Sequence, residues 1–193
     1  HPNAHGWDTV RAVAGLASTP YPLWDRYGAF VLEVGRLLGY FAEAGRETFV
    51  ASRLSAAASV FLMYLLTSTV LRSHTAALIA AGLLATSPAL LFVGRGEALT
   101  APCLLFMLLA AWLLASAARR RDLRLLSCGA VALACLANFR LMGPVMAPAV
   151  GLFALLPADD DIEAGESRRW YPKAVAALGL AALVASPHLL RMG

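Results

Sequence analysis

Runs without charge divide the chain. Leu54–Leu71, lengthened on its N-terminal side by Phe49–Ser52, holds no Asp, Glu, Lys, Arg or His. The same is true of Thr75–Gly94, Ala98–Ala118, Leu125–Phe139 and Leu141–Ala158. Ala174–Leu190 follows, interrupted by Pro187 and His188 near its end. A helix that crosses a bilayer needs about 20 mostly apolar residues. The pattern predicts six spans, near 49–71, 75–94, 98–118, 124–139, 141–158 and 173–190, the fourth and sixth being the shortest. Residues 49–193 therefore read as a transmembrane bundle of about six helices.

Residues 1–48 follow another period. Leu23, Tyr27, Phe30, Val31, Val34, Leu37, Leu38 and Phe41 recur in steps of three and four, with Asp25, Arg26, Glu33 and Arg36 off that stripe. Such a helix lies in the interface instead of crossing it. Trp7, Val10, Val13 and Ala17 outline a shorter helix, and Ser18-Thr19-Pro20-Tyr21-Pro22 breaks the two apart. The fold class expected is all-α: a polytopic bundle preceded by two amphipathic helices in an outer-face loop. Within the bundle, AALIAAGLLATSPALL from Ala76 and AALGLAALVASPHLL from Ala176 look alike, through either an internal repeat or shared Ala/Leu-rich composition. Both carry Ser-Pro, where proline removes a backbone bond and kinks or ends a helix.

Composition narrows the class. The chain of 193 residues is 60% hydrophobic and 15% charged, with a mean hydropathy of +0.68. Soluble domains carry roughly 45–50% apolar and about 25% charged residues. Disorder and a disulfide framework are excluded by the apolar content and by only three Cys. Cys103, Cys128 and Cys135 lie in apolar runs and read as small hydrophobes. A net charge of +4, scattered over the chain, is no nucleic-acid footprint.

Basic residues set an orientation. Arg72 and His74 follow the first span, Arg119, Arg120, Arg121 and Arg124 the third, and Arg168, Arg169 and Lys173 the fifth. The alternate loops hold only Arg95 with Glu97, and Arg140. The positive-inside rule assigns the three richer loops to the cytoplasm. Residues 1–48, the 94–98 loop, the 139–144 turn and the C-terminal end then share the outer face.

Ionisable groups at membrane depth are costly and mark function. Those on the expected outer side are His1, His5, Asp8, Arg11, Arg53, Arg95, Glu97 and Arg140, the last beside Asn138. Guanidinium groups suit phosphate through bidentate bonds, and a nearby carboxylate can deprotonate a hydroxyl. Each Arg alone is equally well explained by snorkelling, and Asp8 alone reads first as a solvated residue; what points to a site is that they gather on one side. Gly94-Arg95-Gly96 lacks a third Gly for a dinucleotide loop, and Asp159-Asp160-Asp161 reads as a solvated acidic run. The four His are too dispersed to read as a zinc site.

This arrangement resembles the multi-spanning GT-C glycosyltransferases, especially prokaryotic relatives of the dolichyl-phosphate-mannose–protein mannosyltransferases. The resemblance rests on SRLSAAASVFLMYLLTSTVLR from Ser52, on AALIAAGLLATSPALLFVGRGEALTAPCLLFMLLAAWLL from Ala76, and on LANFRLMGPVMAPAV from Leu136. It implies an enzyme that moves a sugar from a polyprenyl-phosphate donor to a protein, glycan or lipid hydroxyl on the outer face. The partners implied are the bilayer, that donor and the hydroxyl acceptor. No soluble cofactor is required, and a metal is left open, with no residue cluster in the sequence that calls for one.

In the roles the resemblance implies, Asp8 is the general base. Arg53, Arg95 and Arg140 bind the donor phosphate, and His5, Glu97 and Asn138 support them. The family's opening span would precede His1, so a fragment lacking the first transmembrane helix is expected, from a multi-pass protein of a prokaryotic plasma membrane. Two positions depart from the pattern. Asn3 sits where relatives carry an acid, and the acid expected after the loop Arg falls near Thr100, with Glu97 close by. The alternative reading is a non-catalytic polytopic protein, a transporter or assembly subunit. A transporter would place polar groups and broken helices near mid-bilayer.

Overall fold

The computed structural model describes residues 44–91, 100–139, 142–157 and 164–190. The described residues are helical throughout, joined by short turns. The two interfacial helices expected in residues 1–48 lie outside the described residues, which begin with the helix that starts at Ala44. The order is α1 (Ala44–Leu71), α2 (His74–Ala85), α3 (Thr100–Arg120), α4 (Leu123–Phe139), α5 (Met142–Gly151), a 3₁₀ turn (Leu152–Leu155) and α6 (Ala164–Leu190). Within them Arg53–Leu71 and Ala101–Arg120 are long and apolar enough to cross a membrane, and coincide with the first and third predicted spans. The apolar helices His74–Ala85, Leu123–Leu136 and Val145–Leu155 are shorter.

Helix α3 is the centre. It packs most extensively on α4 and α1, and also on α5 and the 3₁₀ turn. Its buried face is made of small residues: Ala110, Ala111, Ala115, Ala117 and Ala118, with Leu114 among them. Opposite Leu114 stands Gly129 of α4. A Cβ placed there would lie 2.8 Å from Leu114 Cδ2 and 3.2 Å from the Leu114 backbone nitrogen. The α3–α4 approach thus depends on the missing side chain, as in the small-residue contacts of membrane helices.

Many large apolar side chains lie outside, beside a core that buries Leu108, Leu114, Leu126, Leu136 and Trp170. Phe61, Leu78, Ile79, Leu83, Val131, Val145 and Leu180 are all exposed, Leu83 at 68%. Ala77, Ala132, Ala174, Ser55 and Ser59 are buried. A water-soluble domain places leucine inside and rarely shows so much continuous apolar surface. In hydrocarbon an exposed leucine carries no penalty, and small residues let backbones meet. Hydroxyls along α1 bond their own helix: Ser59 Oγ donates to Ser55 O at 2.7 Å, and Thr69 Oγ1 to Leu65 O at 2.8 Å.

Two interhelical turns share one construction. Leu71 is followed by Arg72 at φ 53°, and Arg120 by Arg121 at φ 52°. Both arginines occupy the left-handed position that usually takes Gly at a helix C-terminus, at a cost of about 1 kcal/mol each. The next residue in each case caps the following helix. Ser73 Oγ accepts from Ala76 N at 3.3 Å, and Asp122 Oδ1 from Arg124 N at 2.7 Å. Asp122 N also donates back to Ala117 O at 3.2 Å, the long bond of a Schellman ending. Two residues therefore reverse the chain twice, giving antiparallel neighbours.

The similar Ser-Pro sites behave differently. Helix α2 stops at Ala85, and residues 88–91 form a separate helical turn. Pro88 has no N–H for the Leu84 carbonyl, which instead accepts from Ser87 N at 3.1 Å. Thr86 Oγ1 donates to Gly82 O at 2.9 Å. Ser186-Pro187, by contrast, lies inside α6, which continues to Leu190. At the first site Ser87 and Thr86 supply hydrogen bonds locally and the chain restarts as a new helical turn.

Candidate functional site

One member of the expected site, Arg53, lies at the end of the bundle where α1 enters its apolar run. Among the predicted residues, Arg53 is the one whose side chain is described, and it is exposed. It borders a groove of about 340 Å³ with Ala56, Ala57 and Val60 of α1 and Ala85, Leu90 and Leu91 of the broken α2 segment. Ala56, Leu90 and Ala101 pack together beneath it, with Leu104 and Val60 at the margin. The break at Thr86–Pro88 shapes this groove, because Ala85 lines it before the break and Leu90 and Leu91 line it after. A guanidinium beside a wall of Ala, Val and Leu offers one anion-binding group and one apolar slot.

His5, Asp8, Arg95, Glu97 and Arg140 lie outside the described residues. Asn138 belongs to the last turn of α4, and its side chain is likewise outside them. Among the described residues, no group of three or more His, Cys, Asp or Glu could hold a metal ion.

The opposite end holds the basic turns. Arg119 Nη2 donates to the Val70 carbonyl at 2.9 Å, which ties the second turn to the first. The Arg121 guanidinium carbon stands 5.2 Å from the Trp170 ring centroid and 5.5 Å from that of Tyr171. That contact ties the second turn to the start of α6, and Trp170 Nε1 in turn donates to Ala154 O at 2.9 Å. Arg53 and Leu71 are separated by 19 residues of helix, counting both, a rise of about 28 Å. The groove at Arg53 and the basic turns are therefore at opposite ends of a membrane-length helix.

A second, larger cavity, about 710 Å³, opens among the basic turns. In the sequence its arginines stand out only as markers of orientation. Its separate signal is the pairing of Ser68-Thr69 with Trp112 and Ser116, polar or amphipathic positions near the same ends of α1 and α3.

Residues 28–190 match the family described as dolichyl-phosphate-mannose-protein mannosyltransferase. The chain belongs to this family. The matched region of this mannosyltransferase-family protein includes every described helix, and also Arg53, Arg95, Glu97, Asn138 and Arg140; His5 and Asp8 precede it. Family and apolar helices together mark a membrane protein with a glycosyltransferase ancestry. No curated protein and no solved structure matches the chain.

Proposed function

We propose that the protein is a membrane glycosyltransferase of GT-C type. In this reading it moves a sugar from a polyprenyl-phosphate donor to a hydroxyl of a protein, glycan or lipid on the outer face. The family match over residues 28–190 carries this reading. The Arg53 groove supports it, since its apolar wall suits a prenyl chain and its guanidinium suits the phosphate. The gathering of Arg72, Arg119, Arg120 and Arg121 at the other end supports an outer position for Arg53 by the positive-inside rule. The exposed Leu, Ile and Phe side chains of α1 and α2 support several crossings.

In the reaction, Asp8 takes the proton of the acceptor hydroxyl. The acceptor oxygen then bonds to the anomeric carbon as the bond from that carbon to the donor phosphate breaks, with inversion. Arg53, Arg95 and Arg140 stabilise the charge that develops on the departing phosphate. His5, Glu97 and Asn138 orient these groups. No soluble cofactor enters the scheme.

The test is sugar transfer by the full-length protein from a polyprenyl-phosphate donor. Asp8→Asn should lower kcat by roughly 10²–10⁴-fold. Arg53→Gln should weaken donor use while the helices remain folded. Unchanged transfer in Asp8→Asn removes that residue as the base.

A further inference from the structure

The cavity at the basic end has no part in the transfer scheme, and three arginines line it. Arg72 comes from the turn after α1, and Arg119 and Arg120 from the last turn of α3. The N-terminus of α2 opens into the same space at Ser73 and His74, adding the positive end of a helix dipole. Its described lining contains no carboxylate. The nearest acidic side chain in the turn, Asp122, is engaged by the backbone N–H groups of Arg124 and Leu125.

The walls are positioned before any ligand arrives. Arg119 is fixed by its Nη2 bond to Val70 O, and His74 Nδ1 shares a hydrogen bond of 2.9 Å with the Tyr64 hydroxyl. Trp112 and buried Ser116 line the deeper side, next to Leu65 and Leu125. The cavity thus grades from guanidinium groups at the helix ends to an aromatic and aliphatic wall toward the middle of the helices. An inorganic anion would use only the first part. A phospholipid uses both, with its phosphate at the arginines and its glycerol and first methylenes against Trp112 and Leu65.

We infer that this cavity binds the headgroup phosphate of an anionic phospholipid from the leaflet at the basic end of the bundle. Basic pockets between membrane helices are suited to such headgroups. The inference rests on the membrane placement of the helices and not on glycosyl transfer, so either can fail alone.

The experiment uses the full-length protein in neutral detergent, titrated with dioleoyl phosphatidylglycerol or dioleoyl phosphatidylcholine, with bound lipid counted by native mass spectrometry. The wild type should prefer phosphatidylglycerol by about tenfold or more. Arg72→Gln combined with Arg120→Gln should bring that preference close to one, and Arg72→Lys with Arg120→Lys should restore most of it. Arg124→Gln, on the same end but outside the lining, should leave the preference in place. A wild type without preference overturns the inference. So does an Arg124→Gln loss equal to that of the double variant, which would mean diffuse surface charge. Glycerol 3-phosphate that binds as tightly as phosphatidylglycerol, so that the acyl chains contribute nothing, would identify a soluble phosphate as the ligand and likewise overturns it.

Discussion

Arg119 Nη2 donates to the carbonyl oxygen of Val70 at 2.9 Å, across 49 positions of sequence. This bond joins the ends of the two longest apolar helices with described crossing potential, α1 and α3. The Val70 carbonyl is one of the last of α1, where no further turn of helix supplies a donor. A charged donor there meets both that need and the negative end of the helix dipole. Arg119→Leu should lower stability by about 1–2 kcal/mol, read as the midpoint of denaturation in phosphatidylcholine bicelles. An unchanged midpoint would show that the bond contributes nothing net.

The α3–α4 contact predicts a second loss with a specific rescue. Gly129→Ala puts a methyl group 2.8 Å from Leu114 Cδ2, too close to be accepted without movement. The expected cost is about 1–3 kcal/mol. Gly129→Ala with Leu114→Ala should cost less than the sum of the two single changes, since the second removes the atoms that the first meets. Strict additivity in that double-mutant cycle would place the strain elsewhere.

Trp170 is 2% exposed and links three elements, through Ala154 O on one side and the Arg121 guanidinium on the other. Trp170→Phe keeps a ring and removes the N–H, leaving the Ala154 carbonyl without that donor. A loss of about 1 kcal/mol is expected. Trp170→Leu also removes the ring beneath Arg121 and should cost roughly 0.5–1 kcal/mol more. Equal effects of the two substitutions would deny the cation–ring contact any weight.

Much of this organisation is legible in the sequence, for physical reasons that differ by element. The convergence of Arg72, Arg119 and Arg121 at one end follows from a charge count alone, because antiparallel helices of membrane length must put alternate turns on the same side. The construction of those turns is not legible, because Arg72 and Arg121 occupy a backbone region that sequence rules reserve for Gly or Asn. Nor does the Ser-Pro pair at Ser87 announce its difference from the one at Ser186. The carbonyl freed by Pro88, that of Leu84, is met by the backbone N–H of Ser87, a choice of backbone geometry that the shared Ser-Pro letters do not encode. Of the candidate site, Arg53 is placed at a groove, while the partners assigned to it lie outside the described residues. The basic cavity is not legible in the sequence, because Arg119 and Arg120 join Arg72, Ser68 and Thr69 only when α3 packs on α1, and the Arg119–Val70 bond there spans 49 positions.

Orientation gives a prediction of its own. Single cysteines at Arg72, Arg124 and Arg169, in a background without native cysteine, should all react with a membrane-impermeant maleimide from one side of sealed vesicles. A cysteine at Arg53 or Glu97 should react from the other. Labelling of Arg72→Cys and Arg53→Cys from the same side would break the topology on which the outer-face site depends.

The central claim is transfer itself. Full-length protein, reconstituted in phosphatidylcholine vesicles, is supplied with a radiolabelled polyprenyl-phosphate sugar and a hydroxyl-bearing acceptor extract. The account predicts label in the acceptor, dependence on the polyprenyl chain of the donor, and loss of about two orders of magnitude or more in Asp8→Asn. An absence of transfer from every polyprenyl-phosphate sugar tried, in protein shown to be folded by its thermal transition, would contradict it and favour a non-catalytic membrane role.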